Sequence, residues 1–395
     1  MIKKLFCYIG YVLFRPIWWM ERFVPRKKNI WIFGSWYGQK YSDNSKWLYE
    51  YVIDNYPNIN AIWITKSANI LEKLKSENKT AYLRNSFKGC FYCLIAKYAF
   101  LTSGVDDVNP LFLNGCKQIW LWHGMPLKKI GFCDDSIVNT LSIKKILINL
   151  LNPYNKLSPY CTISSSTFFT PFLEKAFHLQ KDRILPTGLP RCDAFFLNNE
   201  DVFITQLHKK FPKSKIFLYM PTFRMTSKMD GDVFSPFSEK FGFSEEVFVN
   251  FLEKNNIVFL YKPHFVDSSV DVSINSNRFK LLKDNDFSDL YVLLNNIDIL
   301  VTDYSSVYFD FLVTNKPIYL LTFDYYNYIE NSRSHFFDMK KEMHGIFCNT
   351  WNDFYESLEI QFDLNKLKID RLKFASYLDG KSSFKLVEKI LEERL

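Results

Sequence analysis

Short apolar runs alternate with longer helical patterns along the whole of this 395-residue chain. The runs are rich in β-branched and aromatic residues, which is the pattern of β–α–β units in a parallel sheet. We predict strands at residues 29–36, 61–66, 98–104, 118–124 and 160–166, and again at 214–222, 256–264, 298–306 and 316–322. The fold class is therefore α/β, and ligands of such sheets bind beyond the carboxyl ends of the strands.

The chain is long enough for two domains, since one domain typically has about 100–200 residues. A polar, basic stretch, "LNNEDVFITQLHKKFPKSK", separates the two sets of predicted strands. We therefore predict an N-terminal segment at residues 1–28, a first domain at 29–205 and a second domain at 206–395.

The net charge of +8 is concentrated in the first 28 residues, which carry seven basic side chains against Glu21. A nucleic-acid-binding protein would spread such charge along a face, so we expect no nucleic-acid partner. The segment is apolar and aromatic, but Arg15 and Pro16 interrupt it, and a spanning helix needs about 20 apolar residues. We predict an amphipathic segment that lies on an anionic membrane surface, with Trp18 and Trp19 at headgroup depth. A first helix that packs on the protein core is the alternative.

The eight cysteines show no disulfide framework, and no small-residue cleavage site follows the first apolar run. These observations favour a reducing cytoplasm as the location.

Ionisable residues concentrate at the predicted strand exits. His123 and His264 directly follow two strands, and the other exits carry "TGLPRCD", "PTFR" and "TDYSS". A single histidine at a strand end is more often a hydrogen-bonded structural residue than a catalyst. Two of them in opposite halves, beside an arginine and a Ser-Ser exit, favour a ligand-binding cleft.

The stretch "VTDYSSVYFDF" has the pattern of a phosphate site. Thr302 and Asp303 follow a buried run, and Ser305 or Ser306 is placed to begin a helix whose free N–H groups attract an anion. The simpler interpretation is a helix cap alone. The phosphate interpretation gains support from basic side chains on neighbouring strand exits, namely Arg224, Lys262 and His264.

Several motif classes are absent from the sequence. It has no GxxxxGK[ST] and no GxGxxG, which argues against P-loop and dinucleotide-binding enzymes. It also has no HExxH, and the acidic pairs at 106–107 and 134–135 are adjacent residues that point differently on most backbones. The sequence therefore offers no strong metal site, no tightly bound cofactor is expected, and a divalent metal is not indicated.

Taken together, the sequence motifs at the strand exits resemble those of the CDP-glycerol glycerophosphotransferase family of teichoic acid synthesis. The resemblance covers nearly the whole chain, and its motifs occur in order: "WHGMPLKKIG", "GLPRCD", "YMPTFR", "YKPH", "VTDYSSVYFDF" and "YLDGKSS". This chain departs from the family pattern at Met125, where threonine is usual, and at Phe265, where proline is frequent. Neither change alters an ionisable group.

The resemblance implies a GT-B-like fold of two Rossmann-type domains and a peripheral location on the cytoplasmic face of the cell membrane. It implies transfer of a polyol phosphate from a CDP-polyol co-substrate to a hydroxyl of a lipid-linked saccharide or polyol-phosphate acceptor, with release of CMP. Glycerol phosphate is the expected group, and CDP-ribitol is the alternative donor. The product would be teichoic acid or a related capsule. There are two competing hypotheses. One is a GT-B glycosyltransferase that uses a nucleotide sugar, and the other is a membrane-associated scaffold with a degenerate cleft.

The same resemblance assigns roles to the exits. His123 is the expected catalytic base. His264 is expected to serve both catalysis and donor binding, and the other predicted donor-binding residues are Arg224, Lys262, Thr302, Asp303, Ser305 and Ser306. The residues predicted for the acceptor side are Gly124, Lys128, Lys129, Arg191 and Asp193. For Lys128 and Lys129, a solvated helix face is the alternative interpretation.

Overall fold

A computed structural model describes residues 16, 18–134, 158–224, 228–229, 232–264 and 272–392. The chain forms two compact units. The first holds Met1–His123, Gly131–Asp193 and Tyr377–Leu395, and the second holds Gly124–Ile130 and Ala194–Ser376. These units differ from the predicted domains. The boundary lies between residues 193 and 194, before the predicted position at 205. In addition, residues 124–130 belong to the second unit and residues 377–395 belong to the first. Composition reports only local polarity, whereas long-range packing decides which unit a segment joins. Residues 1–15 of the predicted N-terminal segment lie outside the described residues.

The first unit is built on a parallel sheet with strand order β3-β2-β1-β4-β5-β6-β7. Its strands are β1 (Lys27–Gly34), β2 (Asn60–Thr65), β3 (Ala81–Leu83), β4 (Ala96–Leu101), β5 (Lys117–Trp120), β6 (Cys161–Ile163) and β7 (Ile184–Leu185). Its helices begin with α1 (Asp43–Asn55), α2 (Ala68–Ser76), α3 (Phe87–Ile95) and α4 (Thr170–Phe177). The strand order reverses between β1 and β4, so this is the topological switch point at which open α/β sheets bind ligands.

The second unit repeats this order, with a parallel sheet arranged as β12-β11-β8-β13-β14-β15. Its strands are β8 (Lys215–Met220), β11 (Ile257–Tyr261), β12 (Phe279–Leu281), β13 (Ile299–Thr302), β14 (Ile318–Leu321) and β15 (Ile346–Cys348), and β9 (Lys228–Met229) and β10 (Asp232–Val233) form a separate antiparallel pair. Its helices are α5 (Val202–Lys210), α6 (Glu245–Lys254), α7 (Leu290–Asn296), α8 (Val307–Phe311), α9 (Tyr325–Asn331), α10 (Met339–Glu342), α11 (Trp351–Ser357) and α12 (Leu364–Phe374). Its switch point lies between β8 and β13.

The predicted strands are all present, but several end earlier than expected. The strand predicted at 118–124 stops at Trp120, and the one predicted at 298–306 stops at Thr302. In both cases the predicted strand extends over the polar exit residues, because apolar residues surround them in the sequence. The strands that the sequence analysis missed are β3, β7, β9, β10, β12 and β15, each two or three residues long. So short a run gives no measurable periodicity.

Among the described residues, a hydrophobic core packs against each sheet. In the first unit, side chains of β1 and β2 such as Ile32 and Ile64 pack with Cys93 of α3. In the second unit, the core is aromatic and centres on Trp351, whose ring stacks on Phe237 at 5.4 Å between centroids. The indole N–H of Trp351 donates to the carbonyl of Pro236 at 2.7 Å, so its one polar atom is satisfied inside the core.

The last helix, α13 (Ser382–Leu391), belongs to the first unit although the whole second unit precedes it in sequence. The hydroxyl of Tyr56, just after α1, donates to the carboxylate of Glu388 at 2.9 Å. Gly188 has a φ of +82°, and a Cβ there would lie 2.5 Å from the Ser382 hydroxyl and 2.7 Å from the Tyr377 carbonyl oxygen. The approach of this segment therefore requires glycine at position 188.

Replacing Gly188 with alanine should destabilise the first unit more than replacing Gly115. Both glycines have left-handed backbones, at φ +82° and +88°, but a Cβ at Gly115 would meet nothing closer than 3.4 Å. Each alanine bears a conformational cost of about 1–2 kcal/mol, and Gly188→Ala adds an overpacking cost of about 1–3 kcal/mol. Urea denaturation of both variants measures the difference, and equal midpoints would contradict this packing.

Candidate functional site

The switch point of the first unit is organised by Asp107. Its carboxylate accepts backbone N–H groups of Tyr37 after β1 at 2.6 Å, and of Thr102 and Ser103 after β4, both at 2.7 Å. Burial raises the pKa of Asp107 to about 6, and these hydrogen bonds limit the rise. The sequence pattern does not reveal this role, because an adjacent acidic pair indicates at most a metal site.

His123 lies beside this switch point, three residues after the end of β5. Its Nδ1 is 3.2 Å from the Thr102 carbonyl oxygen, and its ring packs against Trp122 at 4.5 Å and Trp36 at 5.2 Å between centroids. Both tryptophans have left-handed backbones, with φ of +53° and +48°. Such strain costs about 1–3 kcal/mol per residue and persists only where the surroundings impose it. The imidazole is therefore held in a defined orientation.

Asn44, near the start of α1, holds the loop that carries His123. Its side-chain amide donates to the carbonyls of Leu121 at 3.1 Å and Trp122 at 2.9 Å, and its Oδ1 accepts the N–H of Arg191 at 3.1 Å. All of these contacts join segments that are distant in sequence. No local pattern around Asn44 could have indicated them, and the sequence analysis did not select this residue.

Arg191 and Asp193, predicted for the acceptor side, both have intramolecular partners. The Arg191 guanidinium is buried and pairs with Asp43 at 2.7 Å. The Asp193 carboxylate accepts the N–H groups of Ser382 at 2.8 Å and Ser383 at 2.9 Å, and so caps α13. Burial raises the pKa of Asp193. These contacts give both residues a structural role, and their acceptor-side role stays a prediction.

The switch point of the second unit is organised in the same way by Asp303. Its Oδ1 accepts the N–H of Thr222, after β8, at 2.8 Å and the N–H of Tyr304 at 2.5 Å. The carboxylate also pairs with the Arg224 guanidinium at 2.8 Å. The predicted residues Arg224 and Asp303 are thus brought together, while the hydroxyl of Thr302 donates to the Met220 carbonyl at 2.8 Å.

The Arg224 guanidinium is enclosed by carboxylates and aromatic rings. It donates to both oxygens of Asp324, at 2.8 and 3.0 Å, and its Cζ lies 4.4–5.0 Å from the ring centroids of Phe234, Tyr304 and Tyr328. Burial lowers the pKa of Arg224, but the charges of Asp303 and Asp324 outweigh that effect and raise it. Asp324 follows β14, and the sequence pattern does not select it, because its partner Arg224 lies 100 residues away in the chain.

Lys262 and His264 lie together after β11. The Lys262 ammonium pairs with Asp284 at 2.7 Å, and Asp284 is half exposed. The His264 ring lies 5.6 Å from that of Phe223, which precedes Arg224 in the chain. The exits of β8 and β11 thus bring His264 close to the segment that carries Arg224, as neighbouring parallel strands require.

The predicted serine cap is only partly present. The Ser305 hydroxyl accepts the N–H of Val307 at 3.4 Å, whereas Ser306 makes no capping bond through its side chain. The helix that follows, α8, has five residues. Its start therefore offers few aligned N–H groups.

Gly124, Lys128 and Lys129, predicted for the acceptor side, belong to the second unit. The N–H of Lys129 donates to the Ser334 carbonyl at 2.9 Å. Gly124 has a φ of +148° and is the first residue of this unit after His123. Among the described residues, no group of three His, Cys, Asp or Glu side chains could hold a metal ion.

A family model described as CDP-Glycerol:Poly(glycerophosphate) glycerophosphotransferase matches residues 17–392. This chain belongs to that glycerophosphotransferase family. The family that the motifs at the strand exits indicate is therefore confirmed.

Two relatives in the glycerophosphotransferase family share most of the length of this chain. A "Teichoic acid glycerol-phosphate transferase" of Staphylococcus aureus is 28% identical, over 99% of this chain and 99% of the relative. A "Teichoic acid glycerol-phosphate primase" of Bacillus subtilis is 26% identical, over 86% of this chain and 81% of the relative. Both are enzymes named for glycerol phosphate.

Solved structures of the wall teichoic acid polymerase TagF share the fold. One histidine-to-alanine variant superposes with a TM-score of 0.74 at 21% sequence identity, covering 100% of this chain and 97% of that chain. A histidine-to-asparagine variant soaked with CDPG gives a TM-score of 0.73 at 20% identity. This likeness confirms the GT-B-like α/β fold with parallel sheets that the sequence predicts.

Replacing Asp43 with asparagine should destabilise the first unit strongly, because it removes the carboxylate that pairs with the buried Arg191 guanidinium. Breaking one partner of a buried ion pair costs about 3–5 kcal/mol. The matched control is Asp106→Asn, which breaks a pair with Arg84 at 3.4 Å in which Asp106 is 61% exposed. Such exposed pairs contribute about 0–1 kcal/mol. Thermal denaturation should separate the two variants, and similar losses would contradict a buried role for Asp43.

Proposed function

We propose that this chain transfers glycerol phosphate from CDP-glycerol to a hydroxyl of a lipid-linked acceptor and releases CMP, in the synthesis of teichoic acid or a related capsule. The observation that carries the proposal is the family match over residues 17–392, together with a relative named for glycerol-phosphate transfer that matches over 99% of both chains. The histidine, arginine and serine residues at the strand exits support an active enzyme over a degenerate scaffold.

The proposed reaction is an in-line displacement at the β-phosphorus of the donor. The acceptor oxygen forms a new bond to this phosphorus as the bond to the bridging oxygen breaks. The electron pair of the broken bond leaves with CMP. Phosphoryl transfer requires the protein mainly to position the two substrates and to stabilise charge on the non-bridging oxygens.

His123 is the proposed general base that takes the proton of the acceptor hydroxyl. A carbonyl oxygen only accepts hydrogen bonds, so the contact between Nδ1 and the Thr102 carbonyl favours the tautomer protonated at Nδ1. The lone pair of the neutral ring is then on Nε2, where it can take a proton. The left-handed backbones of Trp36 and Trp122 keep the ring in place for this role.

The second unit is the proposed donor-binding unit. His264 and Lys262 lie after β11, and Ser305 and Ser306 lie after β13, so they surround the exits of a sheet whose switch point holds Asp303 and Arg224. Two carboxylates already bind the Arg224 guanidinium, and a diphosphate approaching this arginine meets their negative charge. We therefore propose that Arg224 acts mainly by fixing Asp303 and Asp324, while the other groups contact the phosphates.

The function is tested by incubation with CDP-glycerol and with CDP-ribitol, each with a lipid-linked saccharide acceptor, and measurement of CMP. Release of CMP from CDP-glycerol together with a new phosphodiester is the expected result. Release only from CDP-ribitol would instead identify a ribitolphosphotransferase. A nucleoside diphosphate and a glycoside from a nucleotide sugar would identify a glycosyltransferase.

His123→Ala should lower the rate of CMP release by about 10²–10⁴, the usual contribution of a general base. The affinity for CDP-glycerol, measured by calorimetry, should change little, because the base acts on the acceptor. The control is His208→Ala, since His208 is exposed on α5 and should leave both quantities unchanged. Near-normal turnover in His123→Ala would rule out the assignment of the base.

We further propose that the enzyme is peripheral to the cytoplasmic face of the cell membrane and binds it through its N-terminal segment. No helix among the described residues is long and apolar enough to cross a bilayer. Trp19, Met20 and Phe23 are 56%, 66% and 80% exposed, and the neighbouring cation Arg22 is exposed as well. Aromatic and basic side chains in this arrangement suit an anionic lipid surface.

Partly buried polar contacts fix this exposed group to the first unit. The Arg26 guanidinium donates to the carbonyls of Cys93 and Asn114, and the Asn114 amide donates to the Trp18 carbonyl at 2.6 Å. Glu21 is buried and accepts the N–H of Asn114 at 3.3 Å. Burial raises the pKa of Glu21 to about 8, despite this bond and the nearby Arg26. The contacts orient the helical turn, so its exposed residues are a feature of the folded chain.

The double variant Trp19→Ser and Phe23→Ser should lose most of its binding to vesicles that contain anionic lipid. Each substitution removes a large apolar side chain from the interface, and burial of such a side chain contributes about 1.5–3 kcal/mol. Tyr326→Ser is the control, since Tyr326 is 72% exposed in the second unit. Co-sedimentation measures the bound fraction. Equal pelleting of the double variant and the wild type would exclude this surface.

A further inference from the structure

The segment Gly124–Ile130 pairs with residues 334–336 inside the second unit. The N–H of Lys129 donates to the Ser334 carbonyl at 2.9 Å, and the N–H of Phe336 donates to the Leu127 carbonyl at 2.8 Å. These bonds form an antiparallel bridge in which Lys128 is directly opposite His335. Directly opposed residues project to the same face, with Cβ atoms about 4.5–5.5 Å apart. The backbone therefore places these two basic side chains side by side.

Neither side chain has a polar partner among the described residues. The Lys128 ammonium makes no hydrogen bond or ion pair there, and its ring neighbour is Tyr328 at 5.9 Å from the centroid. Both ring nitrogens of His335 are buried without a hydrogen-bond partner in the described part of the chain. The ring lies 6.0 Å from that of Tyr304 and 6.2 Å from that of Tyr328. Buried polar groups without partners are rare in folded proteins and indicate a ligand or a strained site.

Cations and carboxylates both surround this pair. Arg224 and Arg333 both act on Lys128. Asp303, which Arg224 already pairs with, acts on both side chains, and Asp338 acts on His335. Burial lowers the pKa of Lys128 to about 7. Burial also lowers the pKa of His335 to about 4, and the charge of Lys128 contributes to that decrease. A bound anion would offset the repulsion among the cations and give hydrogen-bond acceptors to both side chains.

We infer that Lys128 and His335 form an anion subsite of the second unit, which binds a phosphate group of the nucleoside-diphosphate donor. The inference rests on the proposed function for the identity of the anion. It moves Lys128 from the predicted acceptor side to the donor-binding unit. The position agrees with the general rule for these sheets, because Asp303, which acts on both side chains, lies at the switch point between β8 and β13.

The subsite is tested by isothermal titration calorimetry with inorganic pyrophosphate and with CDP-glycerol. The variants Lys128→Met and His335→Leu keep the approximate volume of each side chain but remove its donors. Each should weaken the binding of both ligands by about 10- to 100-fold, as expected for the loss of a hydrogen bond to a charged group. Lys341→Met is the control, because Lys341 is 80% exposed in the same unit and should bind as the wild type does.

Proton uptake on ligand binding is a second measurement. A lysine with a purely structural role would not take up a proton when pyrophosphate binds. At pH 8 most of the Lys128 amine is neutral in the free protein, and a bound phosphate would raise its pKa. Binding of pyrophosphate should therefore take up a substantial fraction of one proton, seen as a dependence of the binding enthalpy on the ionisation enthalpy of the buffer. The charged groups that act on Lys128 are Asp303, Arg224 and Arg333, with His335 beside it. Lys128→Met should abolish the uptake.

Folding is checked by thermal denaturation, in which Lys128→Met should be at least as stable as the wild type, since it removes the amine from a partly buried position. Unchanged pyrophosphate affinity in both variants would overturn the subsite, as would a wild type that binds neither ligand. If the variants weaken pyrophosphate binding but no CMP is released from CDP-glycerol or CDP-ribitol, the subsite stands and the proposed function falls.

Discussion

In each parallel sheet, one buried aspartate joins the exits of the two strands that meet at the switch point. Asp107 accepts N–H groups that follow β1 and β4, and Asp303 accepts those that follow β8 and β13. The carboxylates satisfy backbone donors that the end of the sheet would otherwise leave unpaired. The neighbouring residues then have fixed positions. In the first unit these include the Thr102 carbonyl that contacts His123, and in the second unit they include Arg224.

The two sites are supported differently. Around His123 the support is mainly backbone geometry, with strained tryptophans and the Asn44 amide holding the loop. Around Asp303 it is mainly charge, because two carboxylates and three aromatic rings surround the Arg224 guanidinium. A fixed imidazole suits proton transfer, and the paired charges around Arg224 hold Asp303 and Asp324 in place at the exits of the proposed donor-binding unit. This contrast agrees with the division of roles in the proposed mechanism.

Local patterns in the sequence were sufficient for the fold class and for most of the strands, because buried strands of four or more residues have a recognisable composition. The same patterns located His123, Arg224 and Asp303, since each lies at or soon after the end of a strand. They could not reveal Asp43, Asn44 or Asp324, whose partners are about 80 to 150 residues away in sequence. Nor could they show that Lys128 joins the second unit, because that depends on pairing with residues near 335. The roles predicted for the site residues stay predictions.

The position of α13 has a consequence for the order in which the chain folds during synthesis. The helix is capped by Asp193 and linked to Tyr56, both in the first unit, yet it is translated after all of the second unit. The second unit can therefore complete its core while the first still lacks a helix. Contacts over so long a separation in sequence form slowly. Until α13 docks, the surface of the first unit that it covers is exposed to solvent, and a nascent or truncated chain would offer that surface to chaperones and proteases.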